Sequence, residues 1–141
     1  KFDSLQSSFK NTLNELAKKN KIILVYPHPE ADLDVPKTIL NLHLKSDLII
    51  NKNLDTKNFI TTSYQAYNEW TKSSFELLDS INSKNIYKIY PHKLLCNTLV
   101  IDRCLTHNNS NIYYYDRVHL SSEGAKMVND KIIEKINKIK F

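Results

Sequence analysis

The sequence predicts an α/β fold, with three layers (α/β/α) around a mostly parallel sheet, and three observations carry that expectation. An amphipathic helical period over residues 3–19 runs directly into an almost wholly apolar stretch, Ile22-Ile23-Leu24-Val25-Tyr26. Runs of that kind mark strands buried on both faces. A second long helical period over 61–81 leads to another strand-like run, Ile86-Tyr87-Lys88-Ile89-Tyr90, and a third follows Ser121. Helices alternating with short apolar strands are the α/β pattern.

Composition narrows the class. A chain of 141 residues is one domain's worth and long enough for a single core. Its 41% hydrophobic and 25% charged residues exclude general disorder. No apolar run approaches the roughly 20 residues of a membrane helix, and the start lacks a charged-then-apolar signal pattern. An anchor or export signal would have to lie outside these residues. The net charge of +5 and pI of about 9.1 suit anionic partners: nucleic acid, lipid or an acidic polysaccharide. The lysines are scattered among Asn and Ile without an Arg-rich, aromatic-interleaved stripe, so nucleic acid is not expected as a partner.

In chain order, Asp3 or Ser4 caps a first helix whose apolar positions Leu5, Phe9, Leu13, Leu16 and Ala17 form one face. Lys18 and Lys19 complement its C-terminal dipole, and Asn20 closes it. The strand at 22–26 is expected to be central. Pro27-His28-Pro29-Glu30 ends it, because neither proline can donate to a ladder. Loops at such strand ends bind ligands in open α/β sheets, so His28 is a candidate substrate contact beside its plainer role as a turn residue. Glu30, Asp32 and Asp34 alternate as a hard cation might require, but the glycine of a calcium loop is absent, and they read as solvated charge. Pro36 suits the first turn of a short helix carrying Ile39, Leu40 and Leu42. Residues 45–57 are polar apart from 48–50 and are read as wrapping an edge.

The helix over 61–81 presents Tyr64, Tyr67, Trp70 or Thr71, Phe75 with Ser74, Leu78 and Ile81, an aromatic stripe that reads as core rather than as a cofactor box. Pro91 ends the second strand. Cys96 and Cys104 then stand far enough apart to bridge a small loop, while His92-x3-Cys96 and Cys104-x2-His107 also assemble four zinc-ligand types, and free thiols are the third option. Residues 99–101 and 112–115 are short β-prone pieces. Ser121 is an apt N-cap for a closing helix with Ala125, Val128, Ile132, Ile136 and Ile139 on its buried face.

Chemistry concentrates in Tyr114-Tyr115-Asp116-Arg117-Val118-His119-Leu120-Ser121-Ser122-Glu123-Gly124-Ala125. Asp116 and His119, three apart in a loop before a helix, can turn toward one point. A carboxylate accepting from one ring nitrogen fixes the tautomer and leaves the other nitrogen free to take a nucleophile's proton. The plainer alternative is a capping Asp beside a surface His.

The block Tyr-x-Asp-x-x-His-Leu-Ser-x-x-Gly-Ala over 114–125 resembles the last conserved block of SGNH/GDSL-type hydrolases, most of all SGNH domains fused to membrane-embedded acyltransferases that O-acetylate bacterial surface polysaccharides. The strand ending in Pro-x-Pro at 27–29 extends the resemblance. It implies a flavodoxin-like SGNH fold and catalytic roles for Asp116 and His119 as two members of a Ser-His-Asp triad. Because the subfamily has a Cys pair in this place, it also implies a Cys96–Cys104 disulfide, with no metal and no cofactor. A complete SGNH domain is somewhat larger, so residues 1–141 are expected to be the C-terminal portion of a single domain.

A serine hydrolase needs a nucleophile on a tight turn and oxyanion donors where glycine lets backbone approach the reacting carbonyl. The chain has one glycine, Gly124, and no intact Gly-Asp-Ser, Gly or Asn block. Phe2-Asp3-Ser4-Leu5 only superficially resembles the first block, which makes Ser4 a weak candidate, and the nucleophile is expected on a missing N-terminal segment or a second chain. Ser121 reads as a cap.

The resemblance thus implies acyl transfer, O-acetylation of a sugar hydroxyl on an envelope polysaccharide at the periplasmic side of the inner membrane. The expected partners are an acetylated or acetyl-accepting glycan and a membrane-embedded acyltransferase domain. The alternatives are a carbohydrate esterase removing the same group, a glycan-binding or interaction module on the same fold without catalysis, and a small zinc module.

Overall fold

The computed structural model describes the backbone of residues 2–45 and 59–139. Helix α1 (Phe2–Lys19) ends where the Asn20 amide and side chain both bond the Leu16 carbonyl. It leads within two residues into β1 (Ile22–Val25). Helix α2 (Val35–Lys45) is capped by Asp34, whose carboxylate accepts from the Lys37 amide at 3.0 Å. Strand β2 (Thr61–Ser63) runs directly into α3 (Tyr64–Asp79), because the Ser63 hydroxyl accepts from the Ala66 amide and starts the helix there. Then follow β3 (Ile86–Ile89), a single turn α4 (His92–Leu95), β4 (Arg103–Leu105) and α5 (Ser122–Lys138). None of the described helices is long and apolar enough to cross a membrane.

This is a mixed α/β chain with two small sheets. β1 and β3 pair in parallel, with Ile22 opposite Ile86 and Val25 opposite Ile89. The Asn85 side chain donates to the Ala17 carbonyl at 2.7 Å, tying the end of α1 to the approach to β3. β2 and β4 pair antiparallel, with Thr62 opposite Cys104. The buried core unites Ala31, Val35, Leu95, Leu105, Tyr113 and Tyr114 with the Cys96–Cys104 disulfide, whose sulfurs are 2.01 Å apart. It lies beneath the loops at the ends of β1 and before α5, which is where the functional candidates sit.

Several expectations are corrected. Among the described residues β1 pairs only with β3 and is half-buried, with Val25 42% exposed, so its apolar run does not occupy a fully buried centre. Thr61–Ser63 is strand rather than helix: its partner β4 lies some forty residues on, a pairing that local periodicity cannot register. Residues 99–101 form a turn, with Leu99 and Ile101 exposed and Val100 half-buried against the core, flanked by Asn97 and Asp102 in left-handed conformations, and the strand begins only at Arg103. Residues 112–115 make isolated bridges, Ile112 to His107 and Tyr114 to Leu120, instead of a strand. On α3 it is Thr71 that is buried, while Trp70 is 66% exposed and stands outside the core stripe. Asp3 and Ser4 lie within α1, which begins at Phe2, and so do not cap it. Ile136 of α5 is 39% exposed, whereas Ile139, just past the helix, is buried. Residues 46–58, which include most of the segment read as wrapping an edge, lie outside the described residues.

Gly124 fits the first turn of α5 for a steric reason. A Cβ there would stand 2.2 Å from the Tyr113 carbonyl oxygen, the atom that accepts the Ser121 amide. Ordinarily Gly→Ala inside a helix gains about 1 kcal/mol. Here Gly124→Ala should reverse that sign and destabilise by roughly 1–3 kcal/mol, read as a lowered midpoint in urea unfolding; an unchanged or raised midpoint would contradict the close packing.

Candidate active site

The loop between Tyr115 and Leu120 is built around one carboxylate. Asp116 Oδ1 accepts from the backbone amides of Val118 and His119, each at 2.8 Å, the local bonding that makes Asp a turn former. The Tyr115 amide donates to the His119 carbonyl at 2.8 Å and closes the loop. Asp116 Oδ2 lies 2.8 Å from His119 Nδ1. A carboxylate oxygen only accepts, so Nδ1 carries the proton, and in the neutral ring that tautomer leaves the lone pair on Nε2. The His119 side chain is 75% exposed and that of Asp116 39%. The ring is therefore held from one side and open on the other.

A second loop holds the first from behind. Tyr114, buried, donates its hydroxyl to the Pro29 carbonyl. The Ala31 amide donates to the Arg117 carbonyl at 2.9 Å, and His28 Nε2 donates to the Val118 carbonyl at 2.9 Å. Tyr67 fixes the near end of this second loop by donating to the Pro27 carbonyl at 2.8 Å. Burial, with the charge of Glu30 nearby, pushes the Tyr114 phenol well above its ordinary range, so it remains a donor. His28 thus contacts the backbone beside His119. The sequence flagged its loop but offered no sign of this bond, nor of the Tyr114 anchor, because both partners lie about ninety residues away in the chain.

The remaining candidates lie elsewhere. Ser4 occupies the first turn of α1, an exposed position in regular helix. Cys96 and Cys104 are joined to each other, which removes both thiolates from any zinc set. His107 Nε2 accepts from the Ile60 amide at 3.0 Å while its Nδ1 donates to the Asn108 carbonyl. His92 is buried against Tyr64, Tyr67, Phe75 and Tyr90, and burial lowers its proton affinity. Ser121 caps α5 by accepting from the Gly124 amide and donates to the Ile112 carbonyl at 2.6 Å.

The two backbone amides, with the His119 ring, hold the Asp116 carboxyl down at about 2. A group depressed in the folded state contributes order that is complete above its unfolded value, near 4, and is lost as pH falls through the folded one. Proton NMR should therefore show the Val118 and His119 amide resonances moving together with a midpoint at about pH 2. A midpoint at an ordinary aspartate value would mean that these bonds do not hold the loop in solution.

A model of the SGNH domain family, described as fused to AT3 domains, matches residues 2–134. No curated protein and no solved structure matches the chain. SGNH domains are of hydrolase and acyl-transfer type, and those fused to AT3 domains are associated with the cell envelope, where an oxidised cysteine pair is at home. With almost its whole length matched, the chain belongs to the SGNH domain family, in the group fused to AT3 domains.

Proposed function

We propose that the chain supplies the general base of an acyl-transfer site that O-acetylates a sugar hydroxyl on an envelope polysaccharide. The observation that carries this reading is the 2.8 Å contact between Asp116 Oδ2 and His119 Nδ1, with the opposite edge of the ring open. A serine from outside these 141 residues, on a preceding segment or another chain, is the nucleophile. His119 Nε2 takes its hydroxyl proton as the oxygen attacks the acyl carbonyl, then returns that proton to the departing donor oxygen. The acyl-enzyme ester is next attacked by the sugar hydroxyl, whose proton passes to His119 and back to the serine oxygen. Asp116 keeps the ring in the correct tautomer and stabilises the transient imidazolium. Water in place of the sugar would make the same site an esterase. Oxyanion donors come with the nucleophile's segment.

The complete domain is proposed as a three-layer α/β/α fold at the periplasmic side of the inner membrane, linked to the membrane-embedded AT3 acyltransferase. Among the described residues, Leu5 and Leu16 of α1 and Val25 of β1 stand exposed, apolar surface that a further layer would cover. Parallel pairing of β1 with β3 suits such a sheet.

The test supplies the serine-bearing segment, covalently or as a second chain, and follows aryl acetate cleavage. His119→Ala should then lower kcat by a factor on the order of a million, and Asp116→Asn by roughly ten-thousandfold. His28→Ala, which frees the backbone beside the base, should cost roughly a hundredfold in kcat with little change in KM. Undiminished turnover in His119→Ala would overturn the reading.

A further inference from the structure

The loop that holds the His119 turn also forms one wall of a cleft. Glu30 and Asp32 lie on that side, and Thr62, Ser63, Tyr67 and Trp70 come from β2 and the start of α3 across a space of about 280 Å³. That is the small end of ligand sites, which run from roughly 300 Å³ upward, and it suits one sugar ring. We propose that this cleft seats a pyranose ring of the acceptor glycan and selects rings that carry no negative charge. The proposal rests on the acyl-transfer reading for the word acceptor, but its binding can be measured apart from it.

Four features support it. Trp70 is 66% exposed, an indole offering a flat apolar face together with an N–H donor, the surface that stacks on the C–H face of a sugar. Glu30 and Asp32 accept no hydrogen bond and form no ion pair among the described residues, which leaves both carboxylates for hydroxyl groups. The walls are fixed in advance: Tyr67 donates to Pro27, and Arg103 grips Thr61 through its hydroxyl at 2.9 Å and its carbonyl at 2.6 Å. Finally, Glu30 sits between Pro29 and Ala31, the two residues bonded to Tyr114 and Arg117, so whatever the cleft holds is referred to the loop of the base. The whole chain carries +5, which suits an acidic glycan, but the cleft is lined by carboxylates and no lysine or arginine among the described residues. Like charge at close range repels an acidic ring here whatever the overall charge attracts.

Trp70 is the single tryptophan of the chain, so its emission reports this cleft alone. Titrating the chain at neutral pH with methyl rhamnoside or methyl N-acetylglucosaminide should give a saturable emission change. Methyl galacturonide should bind about tenfold more weakly or worse. Glu30→Gln with Asp32→Asn should bring the uronide to within about threefold of the neutral sugars, and Trp70→Ala, followed by calorimetry, should lose about tenfold in affinity. Near-UV circular dichroism identifies any variant that fails to fold, and the comparison of sugars on the unaltered chain stands without variants. No saturable change with either neutral glycoside, equal binding of the uronide, or a response to calcium ions with none to sugar would each overturn the proposal. His119→Ala should leave the emission titration intact. Sugar binding without acyl transfer in the reconstituted enzyme would sink the function and spare the cleft; acyl transfer without sugar binding would do the reverse.

Discussion

One carboxylate organises the site. Asp116 uses its first oxygen to accept two backbone amides and its second to accept the His119 ring, so the same group shapes the loop and sets the imidazole's tautomer. Both tasks require the ionised form, and the bonds that perform them are what hold its pKa low. The pair is partly exposed, so its worth lies in orientation more than in energy. A base held at Nδ1 and open at Nε2 is useful only if its backbone does not wander, which shifts the question to what supports the loop.

That support is long-range. Tyr114, His28 and the Ala31 amide join the turn before α5 to the loop after β1, and the buried core beneath contains Ala31, Tyr114 and the disulfide together. The disulfide closes a short loop, and in the chain-entropy picture a loop of this size stabilises by about 2–3 kcal/mol. Gly124 lets α5 begin against the Tyr113 carbonyl, which sets the C-terminal boundary of the His119 loop. Each piece is modest alone. Together they tie a surface turn to the core and to the loop after β1, which a site built on a loop needs.

Much of this was legible in the sequence because it is local. Helices α1, α3 and α5 announce themselves by period, α5 also by its Ser121 cap, and the spacing of Asp116 and His119 is a relation of three residues. The β1 and β3 runs were visible as well, though how deeply β1 is buried depends on neighbours no run encodes. Most of what escaped notice is non-local. The pairing of β2 with β4 and the bonds of His28 and Tyr114 all join positions whose relation exists only in three dimensions, whereas the turn at 99–101, set by left-handed Asn97 and Asp102 only five residues apart, is local but hidden by the β-branched residues inside it.

Family membership and geometry meet at one proton. The measurement that bears on it most directly is long-range nitrogen–proton correlation of the His119 ring at neutral pH. The account predicts that the neutral ring is the tautomer protonated at Nδ1, with that proton shifted downfield by Asp116, and that the downfield shift is lost in Asp116→Asn. A neutral ring protonated at Nε2 alone, or one whose nitrogens ignore the substitution, would contradict it.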